Sequence, residues 1–249
     1  MVIYCAGSTK ASQYTVQILK TNGYCVVPAP TDSVTHLLLD TPAFGANGLL
    51  RNGGSVDAIL SDLPADITVC GGNLKHSSLD GYRKLDFLQD AHYLAENAYI
   101  TAECALDVAL PYLEVTIRSC PVLIIGWGRI GKCLGQLLKG MGADMTISAR
   151  KESDRAMIQA LGYKSMDTGK IQGLNQFRLI FNTVPELVLR KEEMALCRED
   201  CIKIDLASSA GMQDEDVIVA RGLPGIHFPE SSGALIANTF LRLCQEEIT

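Results

Sequence analysis

The chain has 249 residues, of which 47% are apolar and 20% charged, enough to bury one large core or two modest ones in an ordinary globular composition. Its net charge of −6, with no block rich in Lys or Arg, excludes a surface built for nucleic acid or anionic membrane, since such surfaces need clustered cations to displace counterions. No apolar run reaches the length of a membrane span, and nine cysteines, an odd number set mostly inside apolar patterns, read as reduced thiols of a cytoplasmic protein.

From the amino end, residues 1–7 hold an apolar run with no basic stretch before it and Lys10 close behind, so they read as a first strand rather than a leader. Short apolar runs at 2–5, 24–27, 36–39 and 67–70 alternate with helical patterns at 11–22, 55–63 and 78–88. That alternation implies a parallel sheet covered on both faces. Residues 41–54, rich in Gly and Asn and without a period, are expected to form an irregular excursion. His76 follows the fourth apolar run, at the strand end where such sheets bind ligands, and is a candidate catalytic residue; an ordinary surface loop accounts for it equally well. Residues 91–100 read as a transition, and a long helix is predicted from Thr101 to about residue 113. Glu103 then falls in its first turn, placed either to orient substrate and move a proton or simply to complement the helix dipole.

The second half begins with the apolar run 122–125, the segment Gly126-Trp127-Gly128-Arg129-Ile130-Gly131, and a helix from Lys132 whose Leu134, Leu137 and Leu138 share a face. Strand, glycines and helix in this order specify a dinucleotide turn: one glycine for the bend, one for backbone approach to a pyrophosphate, one for close helix packing. The pyrophosphate would rest on the helix N-terminus, where free N–H groups and the dipole favour an anion. Strands are predicted at 144–148, 163–165, 179–182, 202–206 and 225–228, with helices at 152–161 and 191–196 and a closing helix at 234–246. Cys197 and Cys201 stand four apart without a His or second Cys pair at zinc-like spacing, so no metal site is expected. His227 falls inside the last of these strands, as a structural histidine in preference to a proton carrier.

These elements predict an α/β protein of two Rossmann-like doubly wound domains linked by a long helix. The expected boundaries are 1–95 for a flavodoxin-like domain, 96–233 for the dinucleotide-binding domain, and 234–249 for a C-terminal helix packing back toward the first. Where an NAD-selective site places an acid after the second strand, this chain has Ser148-Ala149-Arg150-Lys151. A hydroxyl and two cations suit a 2′-phosphate, so NADP is expected over NAD. Glu152 reads as a first-turn helix acid. The loops Asn182-Thr183-Val184-Pro185 and Asp205-Leu206-Ala207-Ser208 follow the next two strands at the ligand-binding edge and are expected to flank the nicotinamide; turns that satisfy their own backbone are the other reading. The cofactor-binding candidates are therefore Gly126, Gly128, Arg129, Ile130, Gly131, Ser148, Arg150, Lys151, Asn182, Thr183, Val184, Pro185, Asp205, Leu206, Ala207 and Ser208.

The run from Asn97 to Glu103, the glycine turn, Asn182 to Pro185, Asp205 to Ser208, the segment Gly222-Leu223-Pro224-Gly225-Ile226, Pro229 and Ser232-Gly233, in this order and spacing, resemble the family of dipicolinate synthase A subunits over about residues 93–246. The resemblance implies an NADP-dependent oxidoreductase related to D-2-hydroxyacid dehydrogenases, cytoplasmic and linked to sporulation. It would oxidise a dihydrodipicolinate-type ring to the aromatic dicarboxylate with a flavoprotein-like B subunit for partner, and a homo-oligomer is compatible with it. Ser209 and Glu230 stand where the resemblance leads one to expect Arg and Lys; either other cations substitute for a dicarboxylate substrate, with Lys75, His76, Arg118 and Arg129 as candidates, or the chain handles a different substrate. A D-2-hydroxyacid dehydrogenase and a non-catalytic NAD(P)-binding regulator are the competing readings.

Overall fold

The computed structural model describes residues 1–246; residues 247–249 of the predicted closing segment lie outside the described residues. The chain divides into two compact units, one made of residues 1–97 and those from 224 on, the other of residues 98–223.

In chain order the elements are β1 (Val2–Cys5), α1 (Lys10–Thr21), β2 (Cys25–Val27), β3 (His36–Leu38), α2 (Val56–Leu60), β4 (Thr68–Gly71), β5 (Arg83–Asp86) and α3 (Ala91–Ala109). They continue with β6 (Pro121–Ile125), α4 (Arg129–Gly140), β7 (Asp144–Ala149), α5 (Glu152–Ala160), β8 (Lys164–Asp167), β9 (Leu179–Asn182) and α6 (Lys191–Met194). The last are β10 (Ile202–Asp205), β11 (Val217–Val219), α7 (Leu223–His227) and α8 (Pro229–Glu246).

The first unit carries a five-stranded parallel sheet ordered β2-β1-β3-β4-β5, the flavodoxin-type order. One face buries Ile3, Leu38, Cys70 and Phe87 with α1 and α8 residues such as Leu19, Ala237 and Phe240; the other buries Leu37, Leu39, Val69 and Leu79. Helix α8 lies against α1 at very short range. A Cβ on Gly233 would stand 2.6 Å from the Ala11 carbonyl oxygen, and the Thr15 hydroxyl lies 3.0 Å from the Gly233 carbonyl. Gly233 is thus a packing residue, required because a side chain there would push the two helices apart. Arg242 on α8 pairs with Asp90 at 2.5 Å, and Asp90 accepts the Tyr93 N–H at 2.7 Å as α3 begins. Burial opposes ionisation of Asp90, but the Tyr93 N–H and the Arg242 guanidinium outweigh it and hold the carboxyl below its ordinary range.

The second unit carries a six-stranded parallel sheet ordered β11-β10-β9-β6-β7-β8. Its first strand, β6, lies between β9 and β7, so the order reverses beside it and creates the topological switch of a Rossmann fold. Strands β6 and β9 are buried on both faces, which explains why Val122 to Ile125 and Leu179 to Phe181 read as unbroken apolar runs.

Four local expectations are corrected. Residues 78–88 form no helix; a 3₁₀ turn at Ser77–Leu79 precedes β5, an edge strand in which Leu85 alone is buried and Arg83 and Lys84 face water. Charged residues suit such an edge and erase its periodic signal. Helix α3 starts at Ala91, so Glu103 sits about three turns into the helix and not in its first turn. The segment predicted as a strand at 225–228 is the short helix α7, and His227 ends that helix; the last strand is β11. Finally, α8 begins at Pro229, five residues before Ala234, with proline in the first turn where its missing N–H costs nothing.

Candidate functional site

Three glycines shape the turn after β6, each for a different reason. Gly126 has φ +106, and a Cβ there would meet Thr183 Oγ1 at 2.5 Å. A Cβ on Gly131 would collide with the Gly126 carbonyl oxygen, so α4 packs directly on the turn. Gly128 is the opposite case: nothing lies within 4 Å of the position its Cβ would take. It is the N-cap of α4 in extended conformation, and no side chain of the described residues caps the helix. Initial N–H groups of a helix have no intrahelical acceptor, so this end presents donors and a positive dipole to open space.

That open end borders a cleft of about 270 Å³. Of the residues predicted for the cofactor, the fold gathers Gly126, Gly128, Arg150, Lys151, Thr183, Val184 and Pro185 along its walls, where Trp127 also stands. Arg129, Ile130 and Gly131 form the first turn of α4 beside it. Thr183 donates through both its N–H and its hydroxyl to the Ile125 carbonyl at 2.9 Å, which pins the post-β9 loop against the glycine turn.

Other predicted residues point inward. Ser148 is fully buried and its hydroxyl accepts from Thr168 Oγ1 at 3.0 Å, so it ties β7 to the segment after β8. Asn182 and Asp205 are buried at the ends of β9 and β10, where Asn182 Nδ2 donates to Asp205 Oδ1 at 2.8 Å. The Asp205 carboxylate also accepts the N–H groups of Ala207 at 3.1 Å and Gly211 at 2.7 Å, and Asn182 both accepts from and donates to the Val184 backbone. These side chains order the two loops from within. Leu206 and Ala207 are buried, while Ser208 is exposed. Ser209, standing where a cation is expected, donates to the Pro185 carbonyl at 2.7 Å and so joins the same pair of loops.

The mouth of the cleft carries most of its charge. Arg150 pairs with Glu186 at 3.1 Å, both largely exposed, an arrangement worth less than about 1 kcal/mol to folding and therefore readily exchanged. Arg155, which no sequence motif marks, donates to the carbonyls of Ala149 at 3.0 Å and Arg150 at 2.7 Å and fixes the loop that carries the cations. Asp154 also lines the cleft, an acid two positions beyond the Glu152 singled out from sequence. A neighbouring cleft of about 380 Å³ shares Arg150 and Thr168 and adds Lys170 and Arg190. Beyond β11, Arg221 is exposed and its Nε donates to the Ala207 carbonyl at 2.9 Å, placing a cation on the post-β10 loop that spacing alone does not reveal.

The candidates outside this cleft occupy different settings. His76 lies in the first unit, after β4; its ring stacks on Phe44 at 4.6 Å and Nδ1 accepts the Ser78 N–H at 3.3 Å. It lines a shallow cleft of about 390 Å³ with Lys75, Asp80, Lys84 and Asp86. Glu103 is exposed on α3. Arg118 precedes β6, at the sheet edge opposite the glycine turn, so it is not a substitute cation for this cleft.

The first unit has an equivalent strand-to-helix turn, and there the helix end is filled. Asp40, just after β3 and 5% exposed, turns its carboxylate onto the N-terminus of α1. Oδ2 accepts from Ser8 N–H at 3.0 Å, and Oδ1 from Thr9 Oγ1 at 2.8 Å and Ser12 Oγ at 2.5 Å. A Cβ on Gly7 would collide with Ser12 Oγ and crowd the Asp40 carboxylate, so the space in front of this glycine is taken by the chain's own side chains.

The fold is an α/β architecture of two Rossmann-like units, the second with an open cleft at its glycine turn. No family model matches the chain. It is 24% identical over 237 residues to the A subunit of dipicolinate synthase from Bacillus subtilis (strain 168), a match spanning 87% of this chain and 80% of that relative. The crystal structure of the corresponding dipicolinate synthase chain from Bacillus halodurans superposes with a TM-score of 0.81 at 21% identity, over 97% of each chain. A transhydrogenase from Sinorhizobium meliloti shares the fold at a TM-score of 0.72 and 12% identity, over 94% of this chain and 80% of that one. The chain is thus similar in sequence and fold to the A subunit of dipicolinate synthase.

Proposed function

We propose that this chain is an NADP-dependent oxidoreductase acting, like the relative it resembles, on a dihydrodipicolinate-type ring. The observation that carries the proposal is the uncapped N-terminus of α4 at Gly128, open to a cleft whose mouth holds Arg150 and Lys151. The residues present fit a dinucleotide: the one glycine of the turn with free space around it lies where a pyrophosphate must approach the backbone, and the donor set is what an anion requires. Bound there, the cofactor would supply hydride acceptance.

The chain's own residues divide the remaining work. The α4 N–H groups hold the pyrophosphate. Arg150, released from Glu186, and Lys151 hold a 2′-phosphate through charge-assisted hydrogen bonds, which favours NADP. Asn182 and Asp205 keep the post-β9 and post-β10 loops rigid, so little ordering remains to be done on binding. Arg221 supplies the cation that Ser209 does not, offering its outer guanidinium nitrogens to a carboxylate while Nε stays on Ala207. Aromatisation of the ring provides much of the driving force, so alignment is the main catalytic demand. A small dicarboxylate substrate and a flavoprotein-like B subunit are the partners this reading calls for. Mixing the chain, such a flavoprotein-like partner, a dihydrodipicolinate-type substrate and NADP should give pyridine-dicarboxylate absorbance and NADPH together. Cofactor binding without turnover in that mixture would instead favour a nucleotide-dependent regulator.

A further inference from the structure

The glycine cleft is small for a dinucleotide. Pockets that enclose a drug-sized ligand run from about 300 to 1,000 Å³, whereas the cleft at Gly128 measures about 270 Å³. The neighbouring cleft of about 380 Å³ shares Arg150 and Thr168 with it, so the two adjoin.

Three chain segments build this second cleft, and each is anchored. After β8, Thr168 donates its hydroxyl to the buried Ser148 of β7 at 3.0 Å. After β9, the N–H groups of Val188 and Leu189 donate to the Gly211 carbonyl at 2.8 and 3.1 Å, and the Gln213 N–H donates to the Leu189 carbonyl at 3.0 Å. Arg155 holds the third segment, the post-β7 loop that carries Arg150, through two of its carbonyls. Walls fixed in this way leave little ordering to be done when a ligand enters.

The charges on these walls are unevenly matched. Asp167 accepts the Gly169 N–H at 2.9 Å and lies 3.7 Å from Arg155, and Glu193 accepts the Arg190 N–H at 2.8 Å, so both acids of the cleft are engaged. The Lys170 ammonium and the Arg190 guanidinium are exposed and enter no ion pair among the described residues. Arg150 is held only by its exposed pair with Glu186. Beside these three cations, Ile171, Leu187 and Val188 form an aliphatic wall on which Leu187 is 44% exposed. An apolar wall next to available cations fits a planar base whose sugar carries a phosphate.

We propose that the second cleft seats the adenosine 2′-phosphate of NADP and that Arg190, seconded by Lys170, is a specificity-determining contact, a proposal that rests on the NADP reading of the glycine cleft. The adenine lies on Ile171, Leu187 and Val188. Arg190 and Lys170 reach the 2′-phosphate from the two walls that the loop from Ser148 to Lys151 does not supply. Arg190 offers paired N–H donors to the phosphate oxygens, and Lys170 adds a point charge. NAD has a hydroxyl at that position and forms none of these charge-assisted bonds, so the choice of cofactor is made by three chain segments and not by the post-β7 loop alone.

The full chain is titrated by calorimetry with adenosine 2′,5′-bisphosphate and with adenosine 5′-monophosphate, which differ only in the 2′-phosphate. The wild-type chain should bind the bisphosphate about 10-fold tighter. Arg190→Gln should cut that ratio about 5-fold while moving the monophosphate less than about 2-fold, and Lys170→Gln should cut it by a smaller factor. Leu187→Glu should weaken both nucleotides about 10-fold by placing a charge on the adenine wall. All three positions are exposed, and circular dichroism with thermal melting checks that each variant is folded. An unchanged ratio in Arg190→Gln, or equal weakening of both nucleotides by it, would overturn the assignment and leave the NADP reading standing. No binding of either nucleotide to the wild-type chain would remove that reading and the assignment with it.

Discussion

The two strand-glycine-helix turns of this chain start from the same topology and end in opposite states. After β1, the N-terminus of α1 is closed by the Asp40 carboxylate, which collects donors from Ser8, Thr9 and Ser12. After β6, the N-terminus of α4 ends at Gly128 with no capping side chain and free space in front. A helix end wants an anion in either case. The first unit supplies its own, and the second leaves the space open, which is the difference on which the proposed binding site rests.

The contrast is broken most severely by removing the internal anion. Asp40→Ala leaves a buried set of donors without an acceptor and should lower stability by about 3 kcal/mol, seen as an earlier urea transition of the first unit. It should create no nucleotide site, because Ser12 still fills the space beside Gly7. The converse change closes the second site. Gly128→Asp places a capping carboxylate where there is room for it, so stability should hold or rise by about 1 kcal/mol, while NADPH affinity falls by about 100-fold or more. Calorimetric melting and titration on the same sample separate the two effects.

Smaller changes sharpen the reading. Arg150→Gln should weaken NADPH about 10-fold and NADH less than about 2-fold, the signature of one charge-assisted phosphate contact, measured as the ratio of dissociation constants. In the first unit, Asp90 carries a pH signature. Its carboxyl is held below its ordinary value by the Tyr93 N–H and Arg242, so the stabilisation is complete above the unfolded-state pKa of about 3.9 and is lost as pH falls through the folded value. Asp90→Asn should flatten that acid limb by about 1 kcal/mol, read from melting temperatures between neutral and acid pH.

The second unit was more legible than the first, for a physical reason. Its central strands are buried on both faces and its glycines perform steric tasks that no other residue can, so apolar runs and the 126–131 spacing survive as sequence signals. The first unit's sheet ends in the edge strand β5, whose exposed Arg83 and Lys84 hide a strand, and its Asp40 plug acts 32 residues from Ser8, beyond any local pattern. Within the site, Asn182, Asp205 and Ser148 carry side chains suited to a ligand, yet the fold turns them inward to wire the loops. Arg155 and Arg221 do their work by long reach to carbonyls that only tertiary structure brings near. The Ser232-Gly233 pair, prominent in the sequence resemblance, proves to mark the tight approach of α8 to α1.

Trp127 is the chain's one tryptophan and stands in the glycine turn at the wall of the cleft, so its fluorescence reports directly on that site. Titrating the wild-type chain with NADPH and with NADH while following Trp127 should give saturable quenching by both, about 10-fold tighter for NADPH. No change at Trp127 with either nucleotide, or tighter binding of NADH, would contradict an open α4 terminus that reads a 2′-phosphate through Arg150.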